Sequence, residues 1–532
     1  MAASIARAAD LITAVGRARS ADEAARAAVV AAVSPLLVEE LLHDQLADAE
    51  APVVAIGIAA SPGAGSGQVY FSSDAVIDAL DRGELVVLAC PETSPADETA
   101  MRLAEGIVTS RGGLTSHAAV VARGLGVPAV CGVEAMAFVD GAMVAGDQRI
   151  AEGVFVTVDG TAGELRLGST GVAAADPPPE LHELLAWADE IRGERLAVRA
   201  NADTGADAVR ARGFGAQGIG LVRTEHMFLG DRLPLFQRYL LADDPDDQES
   251  ALLALHDVQR LDFGAVLEAM DDLPVTVRLL DPPLHEFLPP LEDLLVAEAR
   301  SELDAPGQAL LASARQWHEH NPMIGTRGVR LAVLRPDLYR TQVRALLAAV
   351  ADRRAAGGSP VVEIMVPFVV DRSELAHVRG WIEDEVAAAG AADVTIGAMI
   401  ETPRAALLAG SVAREADFVS LGTNDLTQTT FALSRDDVEI RVLPTYAEEG
   451  LLAENPFVTI DQSGVGALIE GALFAGRAAR PGLSVGVCGE HGGDPASIHY
   501  FVAIGVDYVS CSPFRVPVAR LAGAQAVLGV NP

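Results

Sequence analysis

Eight side chains have types and surroundings suited to chemistry: His117, Arg223, Arg278, Arg327, Glu401, Asn424, Asp425 and Cys488. His117 follows the glycine pair Gly112-Gly113, where the backbone can turn tightly. Thr115 or Ser116 is a good N-cap, and the Ala-Ala-Val-Val-Ala run after His117 reads as a short helix. Gly124, Gly126 and Pro128 stop it. A histidine in that first turn sits among free N–H groups at the positive end of a helix dipole, a good place to hold a phosphoryl group. As a neutral imidazole it could act as nucleophile and carry that group as phosphohistidine. On this stretch alone, a capping-turn histidine without chemistry is an equally good reading.

The other seven belong to a repeating texture. From about residue 195, eight short apolar runs alternate with helical segments, as a (β/α)8 barrel requires. The predicted strands begin at Leu196, Gly218, Val275, Pro322, Val361, Val394, Phe418 and Leu483. Barrel chemistry sits just after strands, on the C-terminal face. Arg223 follows the second run, Arg278 lies in the third, and Arg327 follows the fourth. Glu401 follows the sixth, Asn424 and Asp425 the seventh, and Cys488 and Glu490 the eighth. A lone arginine is usually a surface ion pair, and a lone cysteine is often inert core. Strand-end placement in unit after unit weakens that reading for the set. Three arginines suit a small anion bearing phosphate and carboxylate. Glu401 and Asp425 could share Mg2+, Asn424 could bond a phosphoryl oxygen, and Cys488 could exchange a proton with carbon.

Ahead of the barrel, residues 1–50 read as helices with a break at Ser34-Pro35. Residues 51–168 read as a compact α/β domain with strands near Val53, Gly67, Leu85, Gly106, Ala129 and Val154. Residues 169–195, with Asp176-Pro-Pro-Pro, read as a stiff linker, and 196–532 as the barrel. The chain is thus predicted to be α/β, a small domain preceding a TIM-type barrel.

Composition narrows the partners. A formal net charge of −35 argues against nucleic acid and anionic membranes. All 39 cationic side chains are arginine, which excludes a Walker lysine or a Schiff base and leaves any anion site to guanidinium groups. The four cysteines, Cys90, Cys131, Cys488 and Cys511, are far apart, so neither a disulfide framework nor a zinc site is expected. With no signal core or membrane-length run, a cytoplasmic protein is expected.

The segments Ser110–His117, Gly218–Phe228, Pro274–Phe287, Asn321–Arg327, Met399–Arg404, Gly422–Gln428, Cys488–Asp494 and Val509–Pro517 resemble the phosphoenolpyruvate-utilising phosphotransferases, in particular the pyruvate, phosphate dikinases. The resemblance runs from about residue 53 to the C-terminus. It implies a swivelling domain whose His117 carries the phosphoryl group. It implies that Arg223, Arg278 and Arg327 grip phosphoenolpyruvate, with Asn424 on the phosphoryl group. Glu401 and Asp425 would hold Mg2+, and Cys488 would protonate the enolate carbon. It implies a homodimer through the barrel, and Thr115 matches a regulatory phosphorylation site in some dikinases. Residues 1–50 are too short for the nucleotide domain of a dikinase and resemble only the helical connector after it. The expectation is therefore the half-reaction forming pyruvate and phosphohistidine, with a separate nucleotide-binding subunit or another phosphoacceptor as partner. The alternative is a regulatory protein that binds phosphoenolpyruvate or pyruvate without catalysis.

Overall fold

A computed structural model describes residues 5–47, 51–93, 97–113, 116–228, 232–242, 244–391, 393–438 and 442–530. Thr115 lies outside the described residues.

Three helices, Ala8–Ala18, Glu23–Ala32 and Pro35–Leu41, open the chain, and Pro35 occupies the first turn of the third, where its missing N–H costs nothing. Leu11, Val15, Val30 and Val38 share one core with Leu181, Leu184 and Trp187 and with Val518 and Leu521 of the last helix, Val516–Val527. The opening helices therefore lie against the outside of the barrel.

Residues 53–167 form an eight-stranded mixed sheet. Its order is Val53–Ile56, Glu164–Leu167, Phe155–Asp159, Ala64–Tyr70, Val86–Cys90, Gly106–Thr109, Ala129–Cys131 and Ile58–Ser61. The Ala60–Gly67 stretch, despite Pro62 and three glycines, is largely strand. The middle strands are apolar on both faces because both faces are covered. One face carries helices Ser73–Asp81 and His117–Leu125. The other carries a small three-stranded sheet spanning Met136–Ala151, which the sequence pattern did not reveal.

The barrel is closed by eight parallel strands: β1 (Ala197–Asn201), β2 (Ile219–Arg223), β3 (Pro274–Arg278), β4 (Val361–Val366), β5 (Thr395–Ile400), β6 (Phe418–Leu421), β7 (Ser484–Val487) and β8 (Tyr508–Cys511). Two assignments change. Pro322–Ile324 is a single 3-10 turn, and β4 at Val361 pairs directly with β3. The eighth strand is Tyr508–Cys511, which closes the barrel on β1. The later runs each move down one place in the order. A further difference falls in 169–195: Pro179–Arg192 is a helix with Leu181, Leu184, Leu185 and Trp187 buried, fixed to the barrel. Among the described residues, no helix is long and apolar enough to cross a membrane.

Candidate active site

His117 is the first residue of its helix. The Ser116 hydroxyl caps that helix by accepting from Ala119 N at 3.4 Å, and Gly126 ends it in the left-handed region at φ +72°. Gly112, at φ +102°, makes the preceding turn. The Thr93 hydroxyl lies 2.9 Å from His117 Nδ1 and orients the ring. At the far end of the helix, a Cβ on Gly126 would stand 2.6 Å from the Phe514 ring, so this end rests on the turn after β8.

The remaining candidates gather at the C-terminal mouth. Arg223 ends β2, and its backbone N–H donates to Asp203 at 2.7 Å. Arg278 ends β3 and pairs with Glu225, and with Asp281 at 3.0 Å. Arg327 follows the 3-10 turn rather than a strand. It pairs with Asp281 at 2.5 Å and with Asp425 at 3.2 Å. Glu401 follows β5, Asn424 and Asp425 open the helix after β6, and Cys488 follows β7. Asn424 Oδ1 accepts the Glu490 backbone N–H at 3.1 Å, tying the turn after β7 to that helix. Glu490 is in turn paired with Arg435 at 2.9 Å.

Charge explains why these groups need one another. Burial pulls the guanidinium of Arg278 down, but Glu225, Asp281 and Glu401 more than offset it. For Arg327, Asp281 and Asp425 overcome burial in the same way. Asp281, 2 % exposed, is disfavoured by burial yet held below the usual carboxylate range by Arg327 and Arg278. It bridges both arginines, and the sequence reading missed it. The signal was available: Asp281 stands three residues after Arg278, directly beyond a predicted strand end. Burial and the nearby charges of Asp281 and Asp425 push Glu401 well above the carboxylate range. The Cys488 thiol is pushed up to about 11, chiefly by burial.

Mg2+ fits this arrangement. A carboxyl driven up by burial and by two neighbouring carboxylates favours a proton or a cation beside it. Gly422 also leaves the space that Glu401 needs, since a Cβ there would lie 2.6 Å from Glu401 Oε2. Among the described residues, no group of three or more His, Cys, Asp or Glu could hold a metal. Two carboxylates suit Mg2+, which keeps several positions for water and substrate oxygens.

Buried arginines held by carboxylates, two further carboxyl groups and a protonated thiol at one barrel mouth, with a histidine at a helix start on a second unit, mark an enzyme. Family models agree: residues 180–527 match the PEP-utilising enzyme PEP-binding domain, and 83–163 the PEP-utilising enzyme mobile domain. The chain belongs to the PEP-utilising enzyme family. It is 46 % identical over 515 residues to pyruvate, phosphate dikinase 1, chloroplastic, of Arabidopsis thaliana, covering 94 % of this chain and 53 % of that protein. It is also 46 % identical over 510 residues to pyruvate, phosphate dikinase of Rhizobium meliloti (strain 1021), covering 94 % and 56 %. The chain spans about half the length of the curated relatives it matches.

Proposed function

We propose that this chain transfers the phosphoryl group of phosphoenolpyruvate to His117 and releases pyruvate. One observation supports this reading best: the charges acting on the Cys488 thiol are those of Glu401, Arg278 and Arg223. The proposed proton donor, two of the proposed anion-binding arginines and a carboxylate proposed for the cation are therefore near enough to act on one another. Such a set serves a substrate that loses a phosphoryl group and then gains a proton at carbon.

In the proposed reaction, Arg223, Arg278 and Arg327 hold the phosphate and carboxylate of the substrate, and Asn424 donates to a phosphoryl oxygen. A Mg2+ bound by Glu401 and Asp425 would supply positive charge to the substrate oxygens. The bond between phosphorus and the enol oxygen breaks as phosphorus bonds to His117 Nε2, and Thr93 steadies Nδ1 on the other side of the ring. The enolate left behind takes the Sγ proton of Cys488 at its terminal carbon, and solvent reprotonates the thiolate. His117 must then leave the mouth to meet an acceptor, so the sheet unit swings. The acceptor is supplied by a separate nucleotide-binding subunit or another phosphoacceptor, and the protein works in the cytoplasm as a homodimer through its barrel.

The test is incubation with phosphoenolpyruvate labelled in the phosphate, together with Mg2+. Acid-labile label is expected on the wild type and none on His117→Ala. No label on the wild type, or label surviving His117→Ala, defeats the proposal. Tight binding without pyruvate release would point to the regulatory alternative. The isolated chain is expected not to exchange label between ATP and phosphate or AMP and pyrophosphate; exchange would remove the need for a separate nucleotide-binding subunit.

A further inference from the structure

Phe368, two residues past β4, is in the left-handed region at φ +56° and is the only aromatic among the described non-glycine residues with positive φ. It is 1 % exposed. A bulky residue adopts this conformation only at a cost, which its surroundings must enforce. Two groups of the site depend on the result. Its backbone N–H donates to Glu401 Oε1 at 2.6 Å. Its ring lies under two guanidinium groups, with Arg327 Cζ 4.6 Å and Arg330 Cζ 4.9 Å from the centroid.

The surroundings are built for this contact. Gly328, at φ +54°, has no room for a Cβ, which would stand 2.6 Å from Phe368 Cβ. The chain after Arg327 can therefore lie directly on Phe368. Arg330 also donates to the carbonyls of Ile324 at 2.6 Å and Gly325 at 3.0 Å, which shape the turn ahead of Arg327. From the other side, the Glu319 carboxylate accepts the Thr326 N–H at 2.8 Å.

The edge of the Arg327 guanidinium is divided between two carboxylates. Asp281 takes Nη2 at 2.5 Å and Nε at 3.2 Å, and Asp425 takes Nη1 at 3.2 Å and Nη2 at 3.4 Å. Asp425 is also a carboxylate assigned to the cation. Were Asp425 to turn to a cation, Arg327 would keep Asp281 along one edge, the Met323 carbonyl 3.4 Å from Nη1 and Phe368 on its face.

We propose that Phe368 is a positioning residue for both halves of the site. Its ring keeps the Arg327 plane fixed when Asp425 is withdrawn, and its strained N–H aims the carboxylate of Glu401. The substrate half of this inference rests on the phosphoenolpyruvate reading. The Glu401 half stands without it.

Two variants separate the halves. Phe368→Leu keeps apolar bulk but removes the ring face. Phe368→Gly also releases the backbone that aims the N–H. Thermal melting establishes that each is folded, with Phe368→Met replacing the leucine variant if needed. Phe368→Leu is expected to raise the KM for phosphoenolpyruvate in His117 labelling by about 5- to 30-fold, the range of a desolvated cation–π contact, with kcat held. Its affinity for Mn2+ alone, read by electron paramagnetic resonance, is expected to match the wild type. Phe368→Gly is expected to weaken Mn2+ binding as well. An unchanged KM in Phe368→Leu, or a loss confined to kcat, overturns the ring's role. Unchanged Mn2+ affinity in Phe368→Gly overturns the role of the N–H. If the wild type takes no label, the phosphoenolpyruvate reading fails, and the Mn2+ comparison still decides the Glu401 half.

Discussion

Cys488 is the group whose chemistry can be read most directly by titration. It lies at the end of β7 with 2 % of its surface exposed, among Leu221, Met365, Met399 and Phe418. Burial raises its thiol from 9.0 to about 11. At pH 9 an ordinary thiol of that starting value is half ionised, whereas one displaced by about two units is ionised in about one molecule in a hundred. Cys488 is therefore expected to remain an acid across the working range, as a donor to an enolate carbon must be. The assay is the ultraviolet thiolate absorbance of the wild type minus that of Cys488→Ser, followed from neutral pH upward. The difference should appear only as pH approaches about 11. The sign of the linkage follows: a group raised in the folded state stabilises fully below its unfolded pKa, and that contribution is lost as pH rises from there through the folded value. Kinetically, Cys488→Ala should slow pyruvate release by about 10²–10⁴-fold, the span of general acid catalysis, while phosphoenolpyruvate binding is kept. A thiolate step centred at or below pH 9 would refute the assignment of Cys488 as the acid. So would undiminished pyruvate release from Cys488→Ala.

Asp281→Asn removes the bridge between Arg278 and Arg327 and leaves two buried guanidinium groups less compensated. Breaking a buried pair costs about 3–5 kcal/mol, so the barrel's thermal transition should fall clearly and the KM for phosphoenolpyruvate should rise; an unchanged transition would show that Glu225 and Asp425 suffice. Gly422→Ala places a Cβ 2.6 Å from Glu401 Oε2 and 3.0 Å from Met399 Sδ. Overpacking of about 1–3 kcal/mol should follow, with weakened Mn2+ binding and an intact circular dichroism spectrum. The proposed homodimer has a candidate contact where helices Pro403–Leu407 and Ala467–Ala479 expose Leu407 at 72 % and Phe474 at 82 %. Leu407→Asp combined with Phe474→Glu should yield monomers by light scattering; a dimer surviving both changes would move the interface elsewhere.

The barrel was legible because its strands are short apolar runs with polar residues at their ends; Arg223, Arg278, Glu401, Asn424, Asp425 and Cys488 stand at or just past strand ends, whereas Arg327 does not. The order was less secure. Pro322-Met-Ile-Gly looks like a strand by composition, yet Pro322 brings no N–H, and the turn is held instead by Glu319 and Arg330. Tyr508–Cys511 was passed over because four residues between Gly505 and Pro513 carry little periodicity, and only barrel closure shows their place. Helix Pro179–Arg192 was hidden behind the proline run, although a proline in the first turn starts a helix as readily as it stiffens a linker. Asp281 and Phe368 share a different difficulty. Their partners, Arg327 and Glu401, lie 46 and 33 residues away, and only folding brings them together.

Attachment of helix Pro179–Arg192 to the barrel would limit how far the proposed carrier histidine could travel. The chain crosses between the barrel body and the sheet unit twice, and the two crossings are stitched together: Gln45 and Leu46 pair with Ala173 and Val172 as an antiparallel ladder. Two strands joined side by side bend about one axis far more readily than they twist or stretch. A phosphohistidine carried on such a hinge would sweep an arc rather than explore a sphere. Its local concentration at either end of that arc would be set by hinge geometry, and hydrolysis in transit would be limited by how briefly it is away from a docked face.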